Sequence, residues 1–212
     1  SDLEVKGTLA KLLATEDLII EHRQVDTASF DVDRRLLTLP IWDRASETVY
    51  DLLVAHEVGH ALFTPNEDVW GVPMGFVNIT EDARIEKLIK RKYPGLPKTF
   101  YRGYQEMQDD DFFDIADEDL DAMNLADRIN LYFKIGSFVK INFSAEEQQF
   151  VNQTAEAETF DEAVEAAKAI FLYMKSPEEE KVDESQSGQE GDSDQINEEG
   201  QDSESNESTD DN

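Results

Sequence analysis

Glu47-Thr-Val-Tyr-Asp-Leu-Leu-Val-Ala-His56-Glu57-Val-Gly-His60-Ala-Leu-Phe63 is the stretch on which the reading of this chain turns. Val49, Leu52, Leu53, His56, His60 and Phe63 recur at helical spacing, which predicts one helix over Glu47–Phe63. Thr64-Pro65 ends it, because a proline pushes the preceding residue out of the helical region. Residues four apart on a helix share a face, with Cβ atoms about 5–6 Å apart. The imidazoles of His56 and His60 are therefore expected to converge on one divalent ion. Glu57 is turned from His56 by about 100° around the axis. From there its carboxylate can reach a water beside the ion without being a ligand, the arrangement of His-Glu-x-x-His zinc hydrolases. An imidazole without a partner is costly to bury in so apolar a helix, which favours ligation over coincidence.

The third ligand is expected to be a carboxylate. The chain has three histidines and no cysteine, so neither disulfides nor thiolate metal sites are open to it. His22 falls on an expected strand and reads as structural or exposed. Asn78-Ile-Thr-Glu81-Asp82-Ala-Arg84-Ile-Glu86 supplies the carboxylates. Glu81 is the expected ligand, because a turn and part of a helix separate it from His60, enough chain to fold back. Glu86 is its first competitor and Asp82 its second. Asn78, Asp82 and Glu86 are also candidates to hold a ligand imidazole in one orientation by a hydrogen bond.

Charge narrows the partners. The 212 residues carry a formal net charge of -30. Ser176–Asn212 holds fifteen acidic residues and one lysine, and the rest of the chain is still near -16. Such a body repels nucleic acid phosphate and anionic membrane surfaces, so neither is an expected partner. No apolar run is long enough to span a bilayer, and the N-terminus lacks a secretory pattern. A cytoplasmic protein is expected. Residues 1–175 read as one domain. Residues 176–212 read as an acidic disordered tail or linker, too poor in apolar residues to offset the entropy of ordering.

Around the histidine helix the pattern predicts an α+β fold. Leu3–Thr15 reads as a helix and Asp17–Val25 as a strand. Ala28–Val32 and Leu36–Ile41 form a hairpin turning near Asp33-Arg34, with Pro40 suited to an edge. Ser46 is a candidate cap for the helix that follows. Val77–Lys92 is a second helix, stopped by Pro94-Gly95, and Gln105–Asp121 is expected to be irregular. Its aspartates lack the alternation and glycine of a calcium-binding EF-hand loop, so they read as a solvated acidic stretch. Leu125–Ile135 is a helix. Ser144 with Glu147, and Thr159 with Glu162, have capping-box spacing ahead of two more. Phe160, Ala163, Val164, Ala167, Ile170, Phe171 and Met174 form an apolar packing stripe. The expected architecture is a small N-terminal antiparallel sheet with an active-site helix, then a mainly helical C-terminal part.

The string His56–Pro65, the segment Asn78–Glu86 and Tyr93-Pro-Gly-Leu96 together resemble metallopeptidase-like proteins of tailed phages related to T4. Phe30–Trp42 and Leu125–Gly136 are similar too, so the resemblance covers most of residues 1–175. It implies a zincin fold of the gluzincin sort, with His56, His60 and Glu81 on zinc. Glu57 would be the general base in peptide-bond hydrolysis by a metal-activated water. It also implies a polypeptide substrate in the cytoplasm of a phage-infected bacterium. Tyr93, Tyr101, Arg102 and Tyr104 are then candidates to stabilise the oxyanion. Many gluzincins place an aspartate four residues after the glutamate ligand. Ile85 stands there in this chain, so the surroundings of the ligands must be built differently. Proteins of this kind often carry a von Willebrand A-like domain after an acidic linker, a layout related to cobalt-chelatase large subunits. That gives a second expectation: a non-catalytic, metal-bound adaptor working with an AAA+ ATPase through such a domain.

Overall fold

The computed structural model describes residues 12–175, apart from 14 and 44. The expected helix Leu3–Thr15 lies largely outside the described residues, and the expected tail Ser176–Asn212 lies wholly outside them. Among the described residues three short strands, β1 (Ile19–His22), β2 (Ser29–Asp31) and β3 (Leu36–Leu39), are followed by six helices. These are α1 (Glu47–Phe63), α2 (Met74–Lys92), α3 (Leu96–Asp109), α4 (Leu125–Ile135), α5 (Ala145–Glu156) and α6 (Phe160–Met174). A 3₁₀ turn, Leu120–Ala122, lies between α3 and α4. The class is α+β, mostly helical.

The sheet corrects one expectation. Its order is β1-β3-β2, and it is mixed rather than antiparallel. β2 and β3 form the expected antiparallel hairpin, with Phe30 opposite Leu37. β1 instead runs parallel to β3, pairing Ile19 with Leu36 and His22 with Leu39. Burial explains the order: Leu37 and Leu39 are 2% and 0% exposed, so β3 takes the centre and leaves its neighbours as edges.

The second correction is α3. Part of the stretch expected to be irregular, from Gln105 to Asp109, belongs to this helix. Pro97 sits in its first turn, where a proline forfeits no intrahelical bond. Leu96, Thr99, Phe100, Gly103, Tyr104 and Met107 make its buried face. Beyond it Asp114, Asp117, Glu118, Asp119 and Asp121 are exposed, as a solvated acidic stretch should be.

Other local signals hold as read. Ser46 Oγ accepts from Val49 N at 3.1 Å and caps α1. Both capping boxes, Ser144 with Glu147 and Thr159 with Glu162, are formed. Among the described residues no helix is long and apolar enough to cross a membrane.

The described residues form two compact units. One comprises 12–62 with Ile89–Phe112. In it Glu16 accepts from Lys92 Nζ and Tyr93 Oη at 2.5 Å each, and these bonds hold its pKa below the usual value. α1 and α3 meet at Gly103, where a Cβ would fall 2.5 Å from Leu52 Cδ1 and 2.8 Å from Leu52 Cβ. Only hydrogen fits there. The other unit comprises Phe63–Leu88 with 113–175. Phe76, Val77 and Ile79 pack there with Leu125, Ile129, Val151, Ala167 and Ile170. Thr80 Oγ1 donates to Ala163 O at 2.7 Å, so α2 is bonded to α6 as well as packed against the same core. Arg128 donates to the carbonyls of Met123 and Asn142 and to both oxygens of Glu147, tying the chain on both sides of α4 to the start of α5.

Gly103→Ala is expected to lower stability by about 1–3 kcal/mol through overpacking against Leu52, measured by urea unfolding. A second expectation concerns acid. The Arg128 guanidinium, then the Ser144 amide, hold the Glu147 carboxyl below its usual pKa. A depressed folded pKa adds stability above the unfolded value near 4.5 that is lost as pH falls through the folded value. Glu147→Gln should therefore lower stability at pH 7 by about 1–2 kcal/mol, part-exposure moderating the loss. The difference from the parent chain should close as pH falls below 4.5; unfolding curves across that range give the measurement.

Candidate metal centre

α1 is buried on almost every side. Asp51, Leu52, Leu53, Val54, Ala55, His56, Val58 and Gly59 are all buried, so its polar groups need partners inside the protein. His56 is 4% exposed, and His60 is half-buried. Their rings stand edge to face, with centroids 4.8 Å apart, as one helical turn requires. One ring nitrogen of each, together with a carboxylate oxygen of Asp82 on α2, lie within 4.8 Å of one another. Two imidazoles and a carboxylate are a donor set for a divalent transition-metal ion. Ligands around a tetrahedral zinc stand about 3.3 Å apart, given metal–ligand distances near 2.0–2.1 Å. The group His56, His60, Asp82 can therefore hold a metal ion.

The carboxylate in this group is Asp82. Glu81 was the expected ligand and Asp82 the second competitor, but Glu81 is not in the group. Its oxygens are engaged elsewhere: Arg84 Nε donates to Oε1 at 2.6 Å and Arg84 Nη2 to Oε2 at 2.7 Å. The Thr64 hydroxyl donates to Oε2 at 2.6 Å. Arg84 also donates to the carbonyls of Phe63 and Glu158. Glu81 and Arg84 are 3% and 4% exposed, so this is an interior pair, not a surface one. Neighbouring positions on a helix point about 100° apart. With Glu81 turned to Arg84, Asp82 faces another way.

Glu57 lies half-buried on α1, beside His56 in sequence and outside the ligand group. Glu86 is 4% exposed, one turn beyond Asp82 on α2. Counted from Asp82, the fourth residue is thus the buried acid Glu86. Counted from Glu81 it is the core residue Ile85, which is 0% exposed. Asn78, one turn before Asp82, is half-buried.

Among the oxyanion candidates, Tyr101 and Arg102 are exposed and Tyr104 is 3% exposed. The Tyr93 hydroxyl is given to Glu16, and burial followed by that carboxylate pushes its pKa up. His22 behaves as read: it is exposed, stacked on Tyr50, with Nε2 3.0 Å from the Tyr50 hydroxyl.

One residue at the centre had no sequence signal. Lys134 on α4 donates from Nζ to Asp82 Oδ2 at 3.1 Å, and both side chains are 4% exposed. It stands 52 residues beyond Asp82, between Phe133 and Ile135, where nothing local marks a lysine as buried.

Two substitutions separate the two carboxylates. Asp82→Asn should bind metal at least about tenfold more weakly, since it removes an anionic ligand. Glu81→Gln should leave metal binding in place. It should lower stability by about 3–5 kcal/mol, because Arg84 loses its buried counter-ion. Metal content after dialysis and denaturant unfolding read the two effects apart. No protein-family model, curated protein or solved structure matches the chain, so the candidate metal centre rests on its own geometry.

Proposed function

We propose that the chain is a zinc-dependent metallopeptidase, with His56, His60 and Asp82 holding the metal and Glu57 acting as general base. The observation that carries this reading is Glu57 itself. A site that only fastened the fold would need three or four donors and no further acid. Here an uncommitted position on the ligand helix, between the two imidazoles in sequence, is a carboxylate. The resemblance to phage metallopeptidase-like proteins points the same way. It supports a polypeptide substrate in the cytoplasm of an infected bacterium.

Zinc, when bound, lowers the pKa of water towards about 7 and polarises a carbonyl. Three protein ligands suit that use, because they leave a fourth position open. His56 and His60 supply neutral donors on one rigid helix, so neither ring has to be recruited from a loop. The Glu57 carboxylate takes the proton from the attacking water and returns it to the departing amine nitrogen. Glu57 is half-buried on the ligand helix.

Glu57→Gln separates the hydrolase from its alternative. The substituted chain should keep about one zinc per molecule and lose cleavage of an unfolded protein or peptide library by about 10²–10⁴-fold. If the zinc-loaded parent chain cleaves nothing in the library, the metal-bound adaptor for an AAA+ ATPase becomes the better account.

A further inference from the structure

Lys134 has no part in the chemistry described above, yet its ammonium sits 3.1 Å from Asp82 Oδ2 with both groups 4% exposed. A centre built only to grip a cation would keep a second cation away from its one anionic ligand. Like charges flanking one carboxylate repel, and the interior screens them weakly. Resting on the metal-centre reading, we infer that Lys134 is a positioning residue that shares the Asp82 carboxylate with the metal. It donates to Oδ2, fixes the rotation of the carboxylate and offsets its charge.

Two consequences follow from charge. Imidazoles that ligate a metal are neutral, and Asp82 and Lys134 cancel, so with an ion bound these four side chains contribute no net charge. An ion held by them keeps its dipositive character instead of losing one unit to Asp82. The centre holds metal less tightly and polarises what the metal touches more strongly. Lys134 also offsets the charge of the buried Asp82 carboxylate before an ion arrives.

A lysine with a purely structural role behaves differently. Its loss would weaken folding and metal binding together, whereas loss of a sharing lysine weakens the metal-free fold and tightens the metal. The test uses the full chain, Lys134→Met and Lys134→Gln, with zinc affinity read by competition against a chromophoric chelator. Thermal unfolding without metal and the visible spectrum of the cobalt-loaded protein complete it. Both variants should unfold at lower temperature without metal, yet bind zinc about tenfold more tightly or better. Their cobalt spectra should differ from the parent's, because the carboxylate is no longer held through Oδ2. If a variant is unfolded as purified, zinc should restore cooperative unfolding by supplying the missing positive charge; failure to restore it overturns the inference. Zinc affinity in the variants equal to or below the parent's overturns the role of Lys134 while leaving the metal centre standing. A parent chain that binds neither zinc nor cobalt overturns both.

Discussion

The buried pair of Glu81 and Arg84 constrains everything around the centre. Two ionised side chains that are 3% and 4% exposed persist inside a protein only if each satisfies the other and their remaining donors find acceptors. Both conditions are met. The guanidinium engages both Glu81 oxygens, and its spare N–H groups go to the carbonyls of Phe63 and Glu158. Thr64 adds a further donor to the carboxylate. One ion pair thus joins the residues just past the histidine helix, the middle of α2 and the start of α6. Removing either partner would strand the other's charge, so the pair cannot be exchanged piecemeal for a ligand role.

That commitment decides which acid is grouped with the imidazoles. Glu81 and Asp82 are adjacent, and a helix sends adjacent side chains in different directions. Once Glu81 is turned to Arg84, Asp82 is the acid that accompanies the two imidazoles. Asp82 in turn is paired with Lys134. α2 therefore buries two acids in succession, and each has a cation of its own: Arg84 from the same helix, Lys134 from α4. The two pairs differ in kind. Arg84 is a planar fork that occupies both oxygens of its carboxylate, while Lys134 is a compact point charge that donates to Asp82 Oδ2. Glu81 is thereby engaged through both oxygens, and Asp82 is the acid grouped with the two imidazoles.

How much of this was legible depends on how local the cause was. α1 was readable to its ends, because its apolar spacing, its serine cap and its terminating proline all lie within the segment. The boxes at Ser144 and Thr159 were readable for the same reason: capping partners are three residues apart. α3 carries a signal that its other residues mask. Leu96, Phe100, Gly103, Tyr104 and Met107 have helical spacing, but Pro97, Gly103 and the acids beyond Gln108 disguise it as loop. The Glu81–Arg84 pair had a signal too, opposite charges three apart on a helix. That spacing usually marks a surface pair of little consequence, and only burial makes it decisive. The parallel pairing of β1 with β3 had no such signal, since sequence neighbours favour hairpins. The order depends on which strand the core covers.

The amino-acid sequence alone determined that two imidazoles share a helical face, that a carboxylate stands between them in sequence, and that a second acidic helix follows. Periodicity and short-range capping are enough for that, because each involves residues within one or two turns. Which acid accompanies the imidazoles was decided by the tertiary structure. The answer depends on the direction in which neighbouring side chains of α2 are pulled. One of those pulls comes from an arginine whose importance lies in its burial, and the other from a lysine 52 residues away.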